Sequence, residues 1–174
     1  YGRRLLLQSS IDIEAVLRAD LAASLGQMIQ AAAINGAGGD EPTGILNTGS
    51  IGSVAGGTNG AAPTYDLMVD LESAVANANA DVGSLAFLTN TKVRGKLRKT
   101  QEFSGTNGDP VFTSGREPGL GEVLGYDTWV TNSVPSTLTK GSASGVCSAI
   151  LFGNFSDLII GLWGGLDILI DPYS

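Results

Sequence analysis

The sequence predicts an α+β fold, and three observations predict it. One long apolar stripe at helical spacing lies near the start, a second and shorter stripe follows Pro63, and short strand-like runs gather in the last third. Helices come first and strands later, without the regular alternation of a doubly wound sheet. The 174 residues, 43% hydrophobic, are enough to bury a core without disulfides or metals.

Taken in order, residues 3–8 suggest a short strand. Ser9 and Ser10 are N-cap candidates for the helix that follows, with Asp12 and Glu14 in its first turn, where the dipole favours anions. Ile13, Val16, Leu17, Leu21, Leu25, Met28, Ile29 and Ala32 recur at steps of three and four, with polar residues on the other faces. Asn35-Gly36 is a suitable stop. Such a helix is roughly 35 Å long at 1.5 Å per residue, so it spans or connects parts of a structure. The glycine-dense stretch 36–63 reads as loop, with a defined turn at Glu41-Pro42-Thr43-Gly44-Ile45-Leu46-Asn47.

A second helix is expected from Thr64 or Tyr65, with Leu67, Met68, Leu71, Ala74, Val75 and Ala78 inward and a stop at residues 79–83. Residues 84–89 read as a buried strand. Asn90 is an N-cap for a short third helix with Val93 and Leu97 inward. Residues 100–119 are loop-like, and strands are expected at 123–126, 128–131, 149–152, 158–163 and 166–171.

Composition narrows the chemistry. With no histidine, Ser-His-Asp and Cys-His nucleophile systems and His-based zinc sites are excluded. Cys147 is the only cysteine, so an internal disulfide is impossible, and it reads as a small buried hydrophobe. The glycines of 36–39 follow a helix, where a dinucleotide loop follows a strand, and no Walker spacing is present. Gly141-Ser142-Ala143-Ser144-Gly145 has alanine where a nucleophile elbow has serine, and reads as a flexible hairpin tip. Asp12 with Glu14, and Asp167 with Asp171, suggest solvated charges and no matched acid and base. Trp129 and Trp163 read as core or subunit contacts. No catalytic residue, cofactor or metal site is expected, and no stretch reads as a membrane span.

Lys92, Arg94, Lys96, Arg98 and Lys99 place five of the ten basic residues within eight positions. They read as a helix with cations toward its C-terminal end, as a surface for acidic residues of a neighbouring subunit, or as a nucleic-acid patch. The net charge of −7 and the absence of interleaved aromatics weigh against the last.

Two segments add a resemblance. The helix start Leu5-Leu6-Leu7-Gln8-Ser9-Ser10-Ile11-Asp12-Ile13-Glu14 resembles the spine helix of tailed-bacteriophage major capsid proteins, and so does its continuation through Leu17-Arg18-Ala19-Asp20-Leu21-Ala22. The exit Ala33-Ile34-Asn35-Gly36-Ala37-Gly38, followed by residues 41–47, is similar to that family's next landmark. Phe87-Leu88-Thr89-Asn90, Gly121-Glu122-Val123-Leu124-Gly125-Tyr126 and Phe152-Gly153-Asn154-Phe155 resemble later ones, although Asp127-Thr128 replaces the usual apolar continuation.

The resemblance implies a capsid fold, with a spine helix and an axial domain whose mixed or antiparallel sheet is flanked by helices. Residues 1–60 would belong to the peripheral domain, 61–165 to the axial domain, and 166–174 to a strand returning to the periphery. It implies a chain lacking an N-terminal arm, an extended loop and a C-terminal end. It also implies a non-enzymatic subunit that self-assembles through pentamers and hexamers into an icosahedral virion capsid. That shell would be built in the bacterial cytoplasm and enclose DNA without sequence-specific binding, with other head proteins as further partners. The subunit-contact candidates, chosen by position in the axial loop, are Gln101, Phe103, Asn107, Asp109, Phe112, Arg116 and Glu117. An encapsulin-like shell enclosing enzymes, or a small-molecule-binding or carboxylate-dependent hydrolytic domain, are the alternatives.

Overall fold

The computed structural model describes residues 13–103, 105, 108–115, 117 and 119–161. The expected strands at 3–8 and 166–171 lie outside these residues, as do Asp12, Asn107, Arg116 and Trp163.

Helix α1 spans Ile13–Asn35, ending where Asn35-Gly36 was expected to end it. The sequence placed Val16, Leu21 and Met28 on one apolar stripe; they are 56%, 59% and 68% exposed, and among the helix residues whose burial is described only Ile34 is buried, at 4%. The spacing sets which residues share a face. Burial depends on what lies opposite, and the last turns of α1 line a groove with Leu88, Phe155 and Leu158.

Helix α2 spans Tyr65–Asn77. The Thr64 hydroxyl accepts from the Leu67 amide at 3.4 Å, and Asp66 sits in the first turn. Strand β1, Leu85–Thr89, leads into α3, Thr91–Leu97. Then follow β2 (Thr113–Ser114), β3 (Leu120–Val123), β4 (Tyr126–Val130), β5 (Leu138–Lys140), β6 (Ala143–Cys147) and β7 (Ile150–Asn154). A five-stranded sheet has the order β2-β3-β4-β1-β7, with β1 and β4 parallel and the other neighbours antiparallel. β5 and β6 form a separate two-stranded ribbon.

One sheet face carries the core. Phe87 packs with Met68 of α2, Val93 and Leu97 of α3, and with Val111, Phe112 and Val123. Phe152 and Tyr126 complete an aromatic cluster around Phe87, with ring centroids 4.3 Å and 6.3 Å away. Full burial of a side chain such as Phe87 stabilises by about 1.5–3 kcal/mol.

Four further expectations are corrected or narrowed. Residues 123–126 are not one strand, because Leu124 and Gly125 both adopt positive φ (55° and 79°) and turn β3 back into β4. That backbone matches the twist of a two-residue hairpin. Residues 141–145 do lie at a hairpin, but its tip is only Gly141-Ser142: β6 begins at Ala143, and the Ser142 amide donates to Asn59 Oδ1 at 2.9 Å. The start of the expected strand 158–163 is not a strand, since Phe155–Asp157 forms a 3-10 turn and residues 158–161 are irregular. Cys147 is half-buried and not fully buried, its Sγ 3.9 Å from the Asn59 carbonyl oxygen.

Candidate functional site: exposed loop, basic helix and bare sheet face

Asn90 positions the basic helix. Its Oδ1 accepts from the Val93 amide at 3.0 Å, capping α3, while its Nδ2 donates to the carbonyls of Pro135 (3.1 Å) and Val134 (3.4 Å). At 2% exposure these bonds are shielded from water, so both ends of the amide are needed. With Val93 and Leu97 turned into the core, the alternating cations are forced outward. Lys92, Lys96, Arg98 and Lys99 are exposed, and Arg94 is half-buried. Lys92 is engaged within the fold, donating to the Val146 carbonyl at 2.7 Å.

The expected contact loop begins where α3 ends. Its base is closed by the Val111 amide donating to Thr100 and the Glu102 amide donating to Asp109, both at 2.9 Å. Gln101, Asp109 and Glu117 are exposed, and Phe103 is 68% exposed with its ring 5.9 Å from that of Tyr65. Phe112 is the exception. It is 3% exposed and its ring lies over Gly121, where any Cβ would collide with it. It anchors the loop to the core and offers no surface to a partner.

The opposite face of the sheet is partly open among the described residues. Strand register aligns Leu120 with Trp129, Trp129 with Leu88, and Leu88 with Leu151, so all four project from one side. Trp129 is 52% exposed. Beside this row, Glu122 and Asp127 stand directly opposite each other and are both exposed. Leu88 also borders a groove with Ile29, Ile34, Phe155 and Leu158, against the end of α1.

The exit of α1 is a built clamp. Asn47 Nδ2 donates to the carbonyls of Gly36 (2.9 Å) and Asn35 (3.2 Å), the Gly44 amide donates to Gly36 at 2.9 Å, and Glu41 Oε1 accepts from the Ala37 amide at 2.7 Å. Gly36 and Gly44 approach so closely that a Cβ on either would strike backbone of the other segment. The sequence singled out this stretch as a turn; its role as a helix stop bonded to the carbonyls of α1 depends on pairing between residues up to 12 apart.

Among the described residues no group of His, Cys, Asp or Glu could hold a metal, and no helix is long and apolar enough to cross a membrane. The described residues form an α+β unit with one packed sheet face, a partly covered apolar face and an exposed loop. The profile of the Phage capsid family matches residues 1–174, and the chain belongs to that family. It is 28% identical to the major capsid protein of Halomonas phage phiHAP-1 over 97% of this chain and 25% of that one. Among solved structures it resembles the capsid of a native GTA particle computed with C5 symmetry, with a TM-score of 0.59, 26% identity, and coverage of 88% of this chain and 53% of that chain. The capsid of the empty GTA particle gives a TM-score of 0.62 at 26% identity, covering 88% and 52%. The chain thus spans about half of those solved chains and a quarter of the phage protein.

Proposed function

We propose that this chain is the shell-forming part of a phage-type major capsid subunit, a structural protein that assembles with copies of itself through rings of five and six into an icosahedral shell enclosing DNA. The observation that carries this reading is the family match along residues 1–174, joined to an α+β fold shared with two capsid structures. The domain division at residues 60 and 165, the virion location and assembly in the host cytoplasm belong to the same reading. In it, Gln101, Phe103, Asp109 and Glu117 of the outward loop meet neighbours near the ring axis, with Asn107 and Arg116 in the same loop. The acidic balance of −7 limits adhesion to the packaged polyanion.

Mass measured by light scattering across a concentration series, with negative-stain imaging of large species, tests it. Rings or shells are the expected result. Monomers at every concentration would count against self-assembly by this chain.

A further inference from the structure

One face of the five-stranded sheet carries the core, and among the described residues the other is only partly covered, open around Trp129 and closed over Ala86. This second face displays a row of large apolar side chains, Leu120, Trp129, Leu88 and Leu151, where a solvated face would alternate to polar residues. At about 4.8 Å between strands the row is about 14 Å long. Leu88, inside the row, borders the end of α1, while Trp129 remains half open. Alongside lies an anomaly: Glu122 and Asp127 face each other across β3 and β4, where like charges repel.

On the far side of the same sheet, behind the core, the end of α3 and the turn that follows it present Lys96, Arg98 and Lys99. All three are exposed, and none bonds through its side chain to a carboxylate among the described residues. A copy therefore carries an apolar, acid-flanked face and a basic face on opposite sides. A rotationally symmetric ring uses two such different and complementary surfaces on every subunit.

We infer that the outer sheet face around Trp129, Asp127 and Glu122 docks onto α3 of a second copy, with Lys96, Arg98 and Lys99 as the cations received. Long cationic side chains suit this face. Their methylene stems cover the apolar row, their heads reach the two carboxylates, and a guanidinium from Arg98 can lie over the Trp129 ring. The inference rests on the capsid reading and deepens it by naming a contact between subunits.

Two variants of the full chain test it, Glu122→Lys with Asp127→Lys, and Lys96→Glu with Arg98→Glu. All four positions are exposed, and circular dichroism confirms that each variant folds. Each variant alone is expected to associate about tenfold or more weakly than the parent by light scattering. Mixed one to one they recover association, because the reversed sheet face of one meets the reversed helix of the other. Trp129→Ala weakens association without recovery in either mixture. If both reversed variants assemble as the parent does, this contact is wrong and the capsid reading stands. If the parent itself never associates, both fall.

Discussion

The β-sheet and helix α1 are both rich in apolar residues, yet they are stabilised differently. β1 lies between two neighbours, one parallel and one antiparallel, and buries Phe87 to 1% exposure beneath α2 and α3. α1 is longer and equally apolar, but Leu21 and Met28 are largely exposed among the described residues. It is tied to the rest through Ile34, the Asn47 clamp and a 3.1 Å bond from the Ser133 hydroxyl to Gln30 Oε1. Apolar periodicity therefore reports a capacity to be buried. The sheet realises that capacity within these residues, and most of α1 does not.

That contrast can be broken at several points. Phe87→Ala removes the centre of the aromatic cluster and should cost about 3–5 kcal/mol in a denaturant titration, enough to unfold a domain of modest stability. Gly121→Val drives a side chain into the Phe112 ring and the Thr113 carbonyl, and should cost about 1–3 kcal/mol or more. Asn47→Ala leaves two carbonyls at the α1 exit without their donor and should cost about 1 kcal/mol, read most sharply as faster proteolysis near residues 36–48. Leu21→Ala, an equal or larger deletion than the last, should change the unfolding free energy of the dilute chain by less than about 0.5 kcal/mol.

The smallest effect is a pH dependence. The Tyr126 hydroxyl donates to Glu72 Oε1 at 2.9 Å, and this bond, then burial and the nearby charges of Glu72 and Asp81, raise the phenol above its ordinary range near 10. Only the protonated phenol donates this bond. The folded state therefore keeps its proton longer than the unfolded state does. The associated stability is fully present below about pH 10 and is lost as pH rises through the higher folded value. Thermal unfolding should show a decline above pH 10 that Tyr126→Phe reduces.

What the sequence revealed was mostly local. Asn90 was legible as a cap because side chain and amide lie three residues apart. The stop of α1 and the strand at residues 85–89 were legible for the same reason, a short pattern with one physical cause. The Leu124-Gly125 turn was hidden, because leucine at positive φ is not a turn signal and the flanking residues look continuous with a strand. Phe112 was hidden by its setting: a loop rich in glycine and proline suggested exposure, and only the facing Gly121 shows why the ring goes inward. Asn59 holding the Gly141-Ser142 turn joins residues 83 apart, and no periodicity reports such a pairing. The contact candidates of the loop divide in the same way. Phe103 lies at the surface and Phe112 in the core, although both sit in similar local sequence.

The most direct measurement is residue-resolved hydrogen exchange on the dilute full chain, comparing α1 with β1. This structure predicts slow exchange in Leu85–Thr89, near the limit set by global unfolding, and much faster exchange over residues 16–28, where few buried contacts resist local opening. Equal, slow exchange in both regions would contradict the division between a sheet that stands on its own packing and a helix that does not.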